Sequence, residues 1–212
     1  MAAHVYKLAD GTRVPGVTTV ISRFKESGGL IHWAWALGKE GKDYREVRDQ
    51  AADAGTLAHR AVDAHIRGVE FHIESADVEV ASRAERAFGA FLQWAEQTQL
   101  RVTETELSLI SEKHRYGGTL DAILIQGKRA VGDWKSSNAL YPEYLLQIAA
   151  YGMLLEECRG EPIEGGYHLL RFDKTYGDFT HKWWAELDTA RQAFLHCRAL
   201  YDMDKELKAR IK

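Results

Sequence analysis

The chain has 212 residues, which fits one domain of ordinary to large size with ample material for a hydrophobic core. Apolar residues make up 45% of it and charged residues 28%, the composition of a water-soluble globular protein. No apolar run approaches the ~20 residues that span a membrane, and residues 1–11 lack the pattern of a signal peptide. The net charge of −3 neither indicates nor excludes a nucleic-acid binder, because a local basic surface is enough to contact phosphates.

The two cysteines, Cys158 and Cys197, are interpreted as small buried thiols on helices. They provide no disulfide framework, which is compatible with a reducing cytosol. We therefore expect a single domain over residues 1–212 in the cytoplasm.

The first half of the chain predicts a hairpin followed by helices. Asp10 and Gly11 form a turn signal between two short runs of the hairpin. An aromatic-rich helix follows, in which Trp33 and Trp35 are interpreted as core residues, with a base-stacking surface as the alternative. The predicted elements are a hairpin over 4–14, helices over 30–37, 42–52, 54–67 and 78–97, and a loop over 68–77.

The second half predicts strands that alternate with helices. Pro142 fits the first turn of a helix, where its missing N–H costs nothing. His168, Arg171 and Lys182 are interpreted as facing solvent. The predicted elements are a strand over 100–110, a loop over 136–141, a helix over 142–157, hairpin strands over 167–172 and 179–185, and a closing helix over 189–208. That helix is expected to bury Ala193, Leu195, Ala199, Leu200 and Met203.

The segment 117–151 carries the features that point to chemistry. Two apolar runs joined by a turn-rich tetrapeptide predict a β-hairpin, and a helix follows. Three ionisable groups interrupt the apolar pattern, Asp121 in the first strand and Asp133 and Lys135 in the second. Because residues two apart on a strand point to the same side, Asp133 and Lys135 share a face.

Whether Asp121 joins that face depends on the turn. A two-residue loop at Gly127 and Lys128 would pair Asp121 with Trp134 and place the two carboxylates on opposite faces. A three-residue loop over 126–128 would pair Asp121 with Asp133, and it needs one residue with a positive φ near its end. We predict an odd-numbered loop or a bulge in this hairpin.

Two neighbouring carboxylates repel each other, and burying them without partners is costly. The simplest explanation is that they form caps or pair with Lys135 and Arg129. The alternative is a divalent cation, since Mg²⁺ takes carboxylate oxygens, water and substrate phosphate as ligands. A lysine beside such a pair is suited to orienting a water molecule or neutralising a phosphate.

Five motifs occur in one order along the chain. They are Gly55-Thr56-Leu57-Ala58-His59, Glu106 with Glu104 as the alternative, Gly118-Thr119-Leu120-Asp121, Asp133-Trp134-Lys135, and Gln147 with Tyr151. This series resembles the PD-(D/E)XK nuclease superfamily and, within it, the RecB-type branch that includes lambda exonuclease-like phage enzymes. The resemblance spans roughly residues 11–200.

The resemblance implies an α/β (α+β) restriction-endonuclease-like core, in which a central mixed β-sheet is flanked by helices. It also implies that residues 17–21 begin a helix, although their β-branched composition is typical of a strand. The implied ligands of one or two Mg²⁺ or Mn²⁺ ions are His59, Asp121, Asp133, the backbone carbonyl of Trp134, and Glu106. The implied catalytic residues are these side chains with Lys135, and the implied DNA contacts are Ser136, Ser137, Gln147 and Tyr151.

The implied activity is metal-dependent hydrolysis of DNA phosphodiester bonds, by an exonuclease of phage or mobile-element DNA recombination, repair or replication. The alternatives are a non-catalytic nucleic-acid-binding accessory subunit of the same fold, an endonuclease, or an RNA phosphodiesterase. A helicase or recombinase partner would be a separate chain, because no P-loop motif is present. Lambda exonuclease-like relatives form rings, so an oligomer is compatible, and a phage-encoded enzyme would work in the host cytoplasm. Two cysteines are too few for the iron–sulfur cluster of some relatives, and none is expected.

Overall fold

In a computed structural model of the chain, the described residues are 4–24, 28–98, 101–102, 104–125, 127–160 and 162–211. The helices are α1 (Val17–Phe24), α2 (Gly28–Lys39), α3 (Tyr44–Ile66), α4 (Val78–Thr98), α5 (Pro142–Arg159) and α6 (Asp188–Arg210). The strands are β1 (Tyr6–Lys7), β2 (Arg13–Val14), β3 (Thr105–Ser111), β4 (Tyr116–Ile125), β5 (Lys128–Lys135), β6 (Gly166–Phe172) and β7 (Phe179–Trp184).

A five-stranded sheet in the order β3-β4-β5-β6-β7 forms the centre of the fold. All neighbours are antiparallel except β5 and β6, which are parallel and are connected through α5. β1 and β2 form a separate antiparallel ladder beside it. The prediction of a central mixed sheet flanked by helices is confirmed, and so are the first hairpin and the helix that begins at Val17.

The sheet separates two hydrophobic cores. One core contains residues of α1, α5 and α6, and the other contains residues of α3 and α4. Successive side chains of β5 point alternately into the two cores. Val131 belongs to the first core, whereas Ala130 and Trp134 belong to the second. Asp133 therefore lies on the side of β5 that faces α5.

The central hairpin contains the irregularity that the proposed chemistry requires. Close to the turn Leu124 pairs with Arg129, whereas further along Ala122 pairs with Gly132, so β5 advances three residues while β4 advances two. The predicted bulge is confirmed, and the register beyond it places Asp121 next to Asp133. A three-residue loop is not formed, since Lys128 already pairs with Ile125. Gln126 lies outside the described residues.

The strand expected over residues 100–110 is shorter than predicted. β3 begins at Thr105, and Leu100 lies outside the described residues. Glu106 has a φ of +52°, in the left-handed region that non-glycine residues rarely adopt. The alternation that would place Glu104 and Glu106 on one face is broken at this point.

Three expectations about the helices were wrong. Residues 42–52 and 54–67 do not form separate helices, because α3 runs without interruption from Tyr44 to Ile66. Trp35 is 58% exposed and is not a core residue. The buried side of α6 contains Ala190, Phe194 and Arg198, whereas Leu200 and Met203 are exposed.

Three side-chain predictions in the second half were also wrong. His168 is half-buried against His181, and Arg171 pairs with Asp173 at 2.9 Å instead of facing solvent. Cys158, expected to be buried, is exposed. In the ranges described above, no helix is both long and apolar enough to cross a membrane.

Candidate active site

A cavity of about 750 Å³ opens between α1, α3 and the strands β3 and β4. Its wall combines acidic, hydroxyl and imidazole side chains. The lining residues are His4, Tyr6, Thr18, Ala52, Gly55, Thr56, His59, Arg60, Asp63, Glu106, Thr119, Asp121, Ser136 and Tyr151.

Asp121 lines this cavity, and Asp133 lies beside it on the neighbouring strand. Asp121 Oδ2 accepts a hydrogen bond of 2.7 Å from the backbone N–H of Trp134, which fixes the carboxylate across the hairpin. Asp133 is only 1% exposed, and its Oδ2 lies 2.5 Å from Lys135 Nζ in an ion pair. That oxygen accepts no hydrogen bond of good geometry within the described part of the chain, so its lone pairs have capacity for another partner.

Lys135 is held by three side chains, one on its own strand and two on α5. Its ammonium pairs with Asp133, donates to Gln147 Oε1 at 3.0 Å and lies 4.9 Å from the centroid of the Tyr144 ring. Gln147 in turn donates to the hydroxyl of Tyr151 at 2.9 Å. One face of α5 therefore positions the lysine, because residues 144, 147 and 151 lie one turn apart on that helix.

His59 reaches the carboxylates from α3. Its Nδ1 lies 3.9 Å from Asp121 Oδ1. α3 can approach the end of β5 this closely because residue 55 is glycine, where a Cβ atom would lie 2.5 Å from Ser136 Oγ. Burial, and next the positive charge of Lys135, lowers the pKa of His59 to about 4, so the imidazole is neutral near pH 7.

The pKa values of the carboxyl groups shift in the opposite direction to that of His59. Burial raises the pKa of Asp133 to about 6, against the opposing charge of Lys135. Burial also raises the pKa of Asp121, although Lys135 and the Trp134 N–H favour its charged form. Each shift records the cost of placing negative charge in a confined, partly dry site.

Glu106 is the glutamate that joins this group. It lines the cavity. Partial burial of its carboxyl group, and next the negative charges of Asp121 and Asp63, raise its pKa to about 7. Glu104 instead forms an ion pair of 2.8 Å with Arg159 and does not line the cavity. The geometry thus favours Glu106 of the two candidates left open by the sequence.

The remaining predicted residues divide into two groups. Ser136 and Tyr151 line the cavity, and Gln147 lies behind it on Lys135. Ser137 does not line it, and its hydroxyl donates to Ala139 O at 2.7 Å within the loop. The side chain of Trp134 is buried among aromatic rings, so only its backbone can face the site.

The sequence motifs missed several residues of the cavity. Asp63 lies one turn after His59 on α3, and that four-residue spacing could have revealed it. Its carboxylate accepts from Arg67 Nε at 2.8 Å and from the Thr105 hydroxyl at 2.6 Å. Tyr6 reaches the cavity from β1, and its hydroxyl lies 3.1 Å from Thr119 Oγ1. No local pattern indicates that long-range contact.

The donor set of the site fits a hard divalent cation. A neutral imidazole and carboxylate oxygens are ligands that suit Mn²⁺, and the oxygens suit Mg²⁺. Asp133 Oδ2 pairs with Lys135 and keeps lone-pair capacity for a second partner, and the raised carboxyl pKa values show that further positive charge here would be favourable. Across the described ranges, however, no three His, Cys, Asp or Glu side chains lie close enough together to enclose an ion.

No family model matches this chain, and no curated protein matches it. A putative exonuclease from Eubacterium rectale matches it in structure, with 16% identity and a TM-score of 0.50 over 73% of this chain and 66% of its own. The alkaline exonuclease LHK-Exo from Laribacter hongkongensis has 17% identity and a TM-score of 0.35, and LHK-Exo in complex with dAMP has 18% and 0.34. Both alignments cover 77% of this chain and 92% of the other.

The five-stranded mixed sheet with helices on both sides defines the class, an α/β protein with a carboxylate–lysine cluster at the centre of its sheet. The likeness to the Eubacterium rectale structure is one of fold. The chain therefore shares its fold with the Eubacterium rectale structure.

Proposed function

We propose that this protein is a Mg²⁺- or Mn²⁺-dependent deoxyribonuclease that hydrolyses DNA phosphodiester bonds. The observation that supports it is the clustering of four side chains at one open cavity: His59 and Asp121 line it, and the Asp133–Lys135 ion pair lies beside Asp121 on the neighbouring strand. These residues come from two strands and a helix, separated by 62 to 76 positions between His59 and the others. Chance contact between buried charges is disfavoured, because each one costs free energy unless it is paired.

The side chains have distinct parts in the proposed reaction. When bound, the metal ion lowers the pKa of water and stabilises developing oxyanion charge. His59, Asp121, Asp133, the Trp134 carbonyl and Glu106 would hold it. Lys135 positions the attacking water and offsets charge on the phosphorane-like transition state. Gln147 and Tyr144 hold the Lys135 ammonium in place, so little reorganisation is needed at that atom.

The finer assignments follow from the motif resemblance. We propose an exonuclease that acts in phage or mobile-element DNA recombination, repair or replication, with any helicase or recombinase on a separate chain. Ser136 and Tyr151 line the cavity, where their hydroxyl groups can contact phosphate or sugar without reading bases.

The first experiment is cleavage of linear DNA labelled at its 5′ or 3′ end, beside a closed circle, with Mn²⁺ or with EDTA. We expect Mn²⁺-dependent release of nucleotides from one end of the linear DNA and an intact circle. Cleavage of the circle would show an endonuclease, and preferential loss of a matched RNA would show an RNA phosphodiesterase.

The site assignment is tested by Asp121→Ala, Asp133→Ala and Lys135→Ala. Each should lower the cleavage rate at least about 100-fold, the usual cost of removing one group that stabilises transition-state charge. Glu104→Ala is the matched control, because that carboxylate lies outside the cavity. Undiminished cleavage by a folded Asp133→Ala protein would refute the assignment, and wild-type protein without metal-dependent cleavage would refute the function.

A further inference from the structure

The cavity wall is rich in acidic side chains and poor in basic ones. Asp63, Glu106 and Asp121 line it, whereas Arg60 is the single lining residue of the described chain with a permanent positive charge. The nearby Lys135 is committed to Asp133 and Gln147. A polyanionic strand that enters the cavity therefore meets one guanidinium group on its wall.

Arg60 is held in place without being neutralised. Its guanidinium carbon lies 5.1 Å from the centroid of the Phe71 ring, a cation–π contact that leaves the N–H groups at its edge available. Within the described ranges it forms no ion pair and donates no hydrogen bond, although three carboxylates line the same cavity. Arg67, which follows the last residue of α3, shows the opposite behaviour, since it binds Asp63 at 2.8 Å.

The position of Arg60 suits a phosphate beside the reacting one. It directly follows His59 on α3, and Thr56, one turn earlier, lines the cavity with it. A guanidinium presents a planar fork of donors that matches two phosphate oxygens, which gives orientation without base recognition.

We propose that Arg60 binds a non-scissile phosphate of the nucleic-acid strand, next to the bond that is cleaved, and that the Phe71 ring holds its guanidinium for this contact. The inference rests on the proposed nuclease activity for the identity of the ligand. It assigns binding of the nucleic-acid backbone to a residue outside the carboxylate–lysine cluster.

The first test measures binding of a short fluorescein-labelled single-stranded DNA in EDTA over a series of salt concentrations. Arg60→Ala should weaken binding roughly 10- to 100-fold, the usual contribution of a charged hydrogen bond. It should also lower the slope of log K against log salt by about 0.7, because one fewer counterion is released. Arg60→Lys should keep the slope and lose part of the affinity.

Arg45→Ala is the matched control. Arg45 lies on the same helix and its guanidinium also lies over an aromatic ring, 5.6 Å from that of Tyr44, but it does not line the cavity. Arg45→Ala should change neither the affinity for the labelled DNA nor the slope of log K against log salt appreciably. Equal effects of Arg60→Ala and Arg45→Ala would overturn the proposal.

The second test locates the phosphate. Neutral methylphosphonate linkages are placed one at a time along the DNA and combined with Arg60→Ala in double-mutant cycles. At one position beside the cleaved bond, the neutral linkage should weaken binding of the wild type but have no further effect on Arg60→Ala. Additive losses at every position would refute a direct contact.

Kinetics separates this inference from the proposed function. Arg60→Ala should raise KM with little change in kcat, because a non-scissile phosphate is bound similarly in the ground and transition states. If wild-type protein does not cleave DNA, the proposed function fails. If wild type cleaves and Arg60→Ala has the KM and salt slope of Arg45→Ala, only the Arg60 assignment fails.

Discussion

The protonation states of single residues in this protein are set by hydrogen-bond partners on other elements of the fold. His168 on β6 shows this most clearly. The Trp94 indole N–H donates to His181 Nδ1 at 3.3 Å, so His181 carries its proton on Nε2. That proton is donated to His168 Nδ1 at 3.1 Å, and His168 Nε2–H donates to Gly165 O at 3.1 Å. Both rings are therefore neutral, and a further proton on either would break the chain.

This arrangement predicts a loss of stability in acid. Burial lowers the pKa of His168 to about 4, whereas an unfolded histidine titrates near 6.5. Between these values the unfolded state binds more protons, so the free energy of unfolding falls as the pH falls. His168→Gln, which keeps an acceptor and a donor, should remove about 1–2 kcal/mol of this loss between about pH 7 and pH 4.5, after allowance for solvent screening.

Urea unfolding of wild type and His168→Gln at several pH values measures the difference. His196→Gln, at an exposed position on α6, is the control and should follow the wild type. If the free energy of unfolding changes with pH equally in wild type and His168→Gln, the assignment of neutral rings to His168 and His181 is wrong.

The residues that carry the proposed chemistry could be predicted better than His168. Asp133 and Lys135 interrupt an apolar strand at a spacing of two, which is visible in the sequence. His168 was assigned to solvent because its partner His181 lies thirteen residues away on the next strand. Arg60 was missed for a similar reason, since nothing local indicates that its helix face opens into the cavity.

At the scale of elements, close packing between the small ladder and the sheet explains the paired glycines of β4. A Cβ atom on Gly117 would lie 2.2 Å from the Tyr6 ring, close to the base of that side chain, where rotation gives no relief. On Gly118 it would lie 2.7 Å from the Tyr151 ring. The glycines thus let a tyrosine from β1 and a tyrosine from α5 pack against adjacent positions of one strand.

Gly117→Ala should therefore destabilise the protein by about 1–3 kcal/mol, the usual cost of overpacking. Gly89→Ala on α4 is the opposite case, because no atom lies within 4 Å of the added Cβ. It should stabilise the helix by about 0.5–1 kcal/mol. Urea unfolding curves compare the two.

The Gly117 penalty should shrink in a Tyr6→Gly background, since both the clashing ring and the Tyr6 Cβ, which would lie 2.6 Å from the added Cβ, are then gone. An equal penalty with and without the ring would show that the contact with Tyr6 is not its cause.

Elements were predictable where one periodicity dominates. α4 follows from its amphipathic spacing, and the start of α5 follows from Pro142. The composition of residues 17–21 is typical of a strand, and only the motif resemblance indicated the helix α1 that forms. α6 was assigned the wrong buried side because it carries apolar residues on more than one face, and burial of Arg198 is visible only in the fold, where its guanidinium donates to Arg115 O at 2.9 Å.

At the scale of the whole molecule, the candidate metal site couples ligand binding to stability. Burial raises the pKa of Asp133, so its charge opposes folding near neutral pH unless a cation offsets it. A divalent ion that binds the folded state alone raises the stability of the entire fold. The effect can be measured without any substrate.

We expect Mn²⁺ at a hundred-fold excess over its Kd to raise the Tm of wild type by roughly 5–10 °C. Asp133→Asn should be no less stable than wild type in EDTA and should lose this response. Glu106→Gln should weaken the response, and Glu104→Gln should leave it intact, because only Glu106 lies in the cavity. Differential scanning calorimetry measures these shifts, and an equal rise in Asp133→Asn would contradict the ligand assignment.

The global arrangement was only partly accessible from sequence. A mixed sheet with helices on both sides follows from the order of the motifs. The bulge in β5 could be predicted because the chemistry needs both aspartates on one face. The left-handed backbone of Glu106 could not be predicted, since no glycine or asparagine marks the position.

The central strand β5 is hydrogen-bonded on both edges, by β4 and by β6, and it carries both Asp133 and Lys135. Hydrogen bonds on both edges hold the backbone of β5 in position. Arg60 and Thr18 instead line the cavity from the helices α3 and α1. For the proposed nuclease, changes in the outer helices would therefore alter which substrates are accepted, while Asp133 and Lys135 keep their positions in the sheet. Laboratory selection for new substrates should accordingly accumulate changes at the mouth and spare the middle of the sheet.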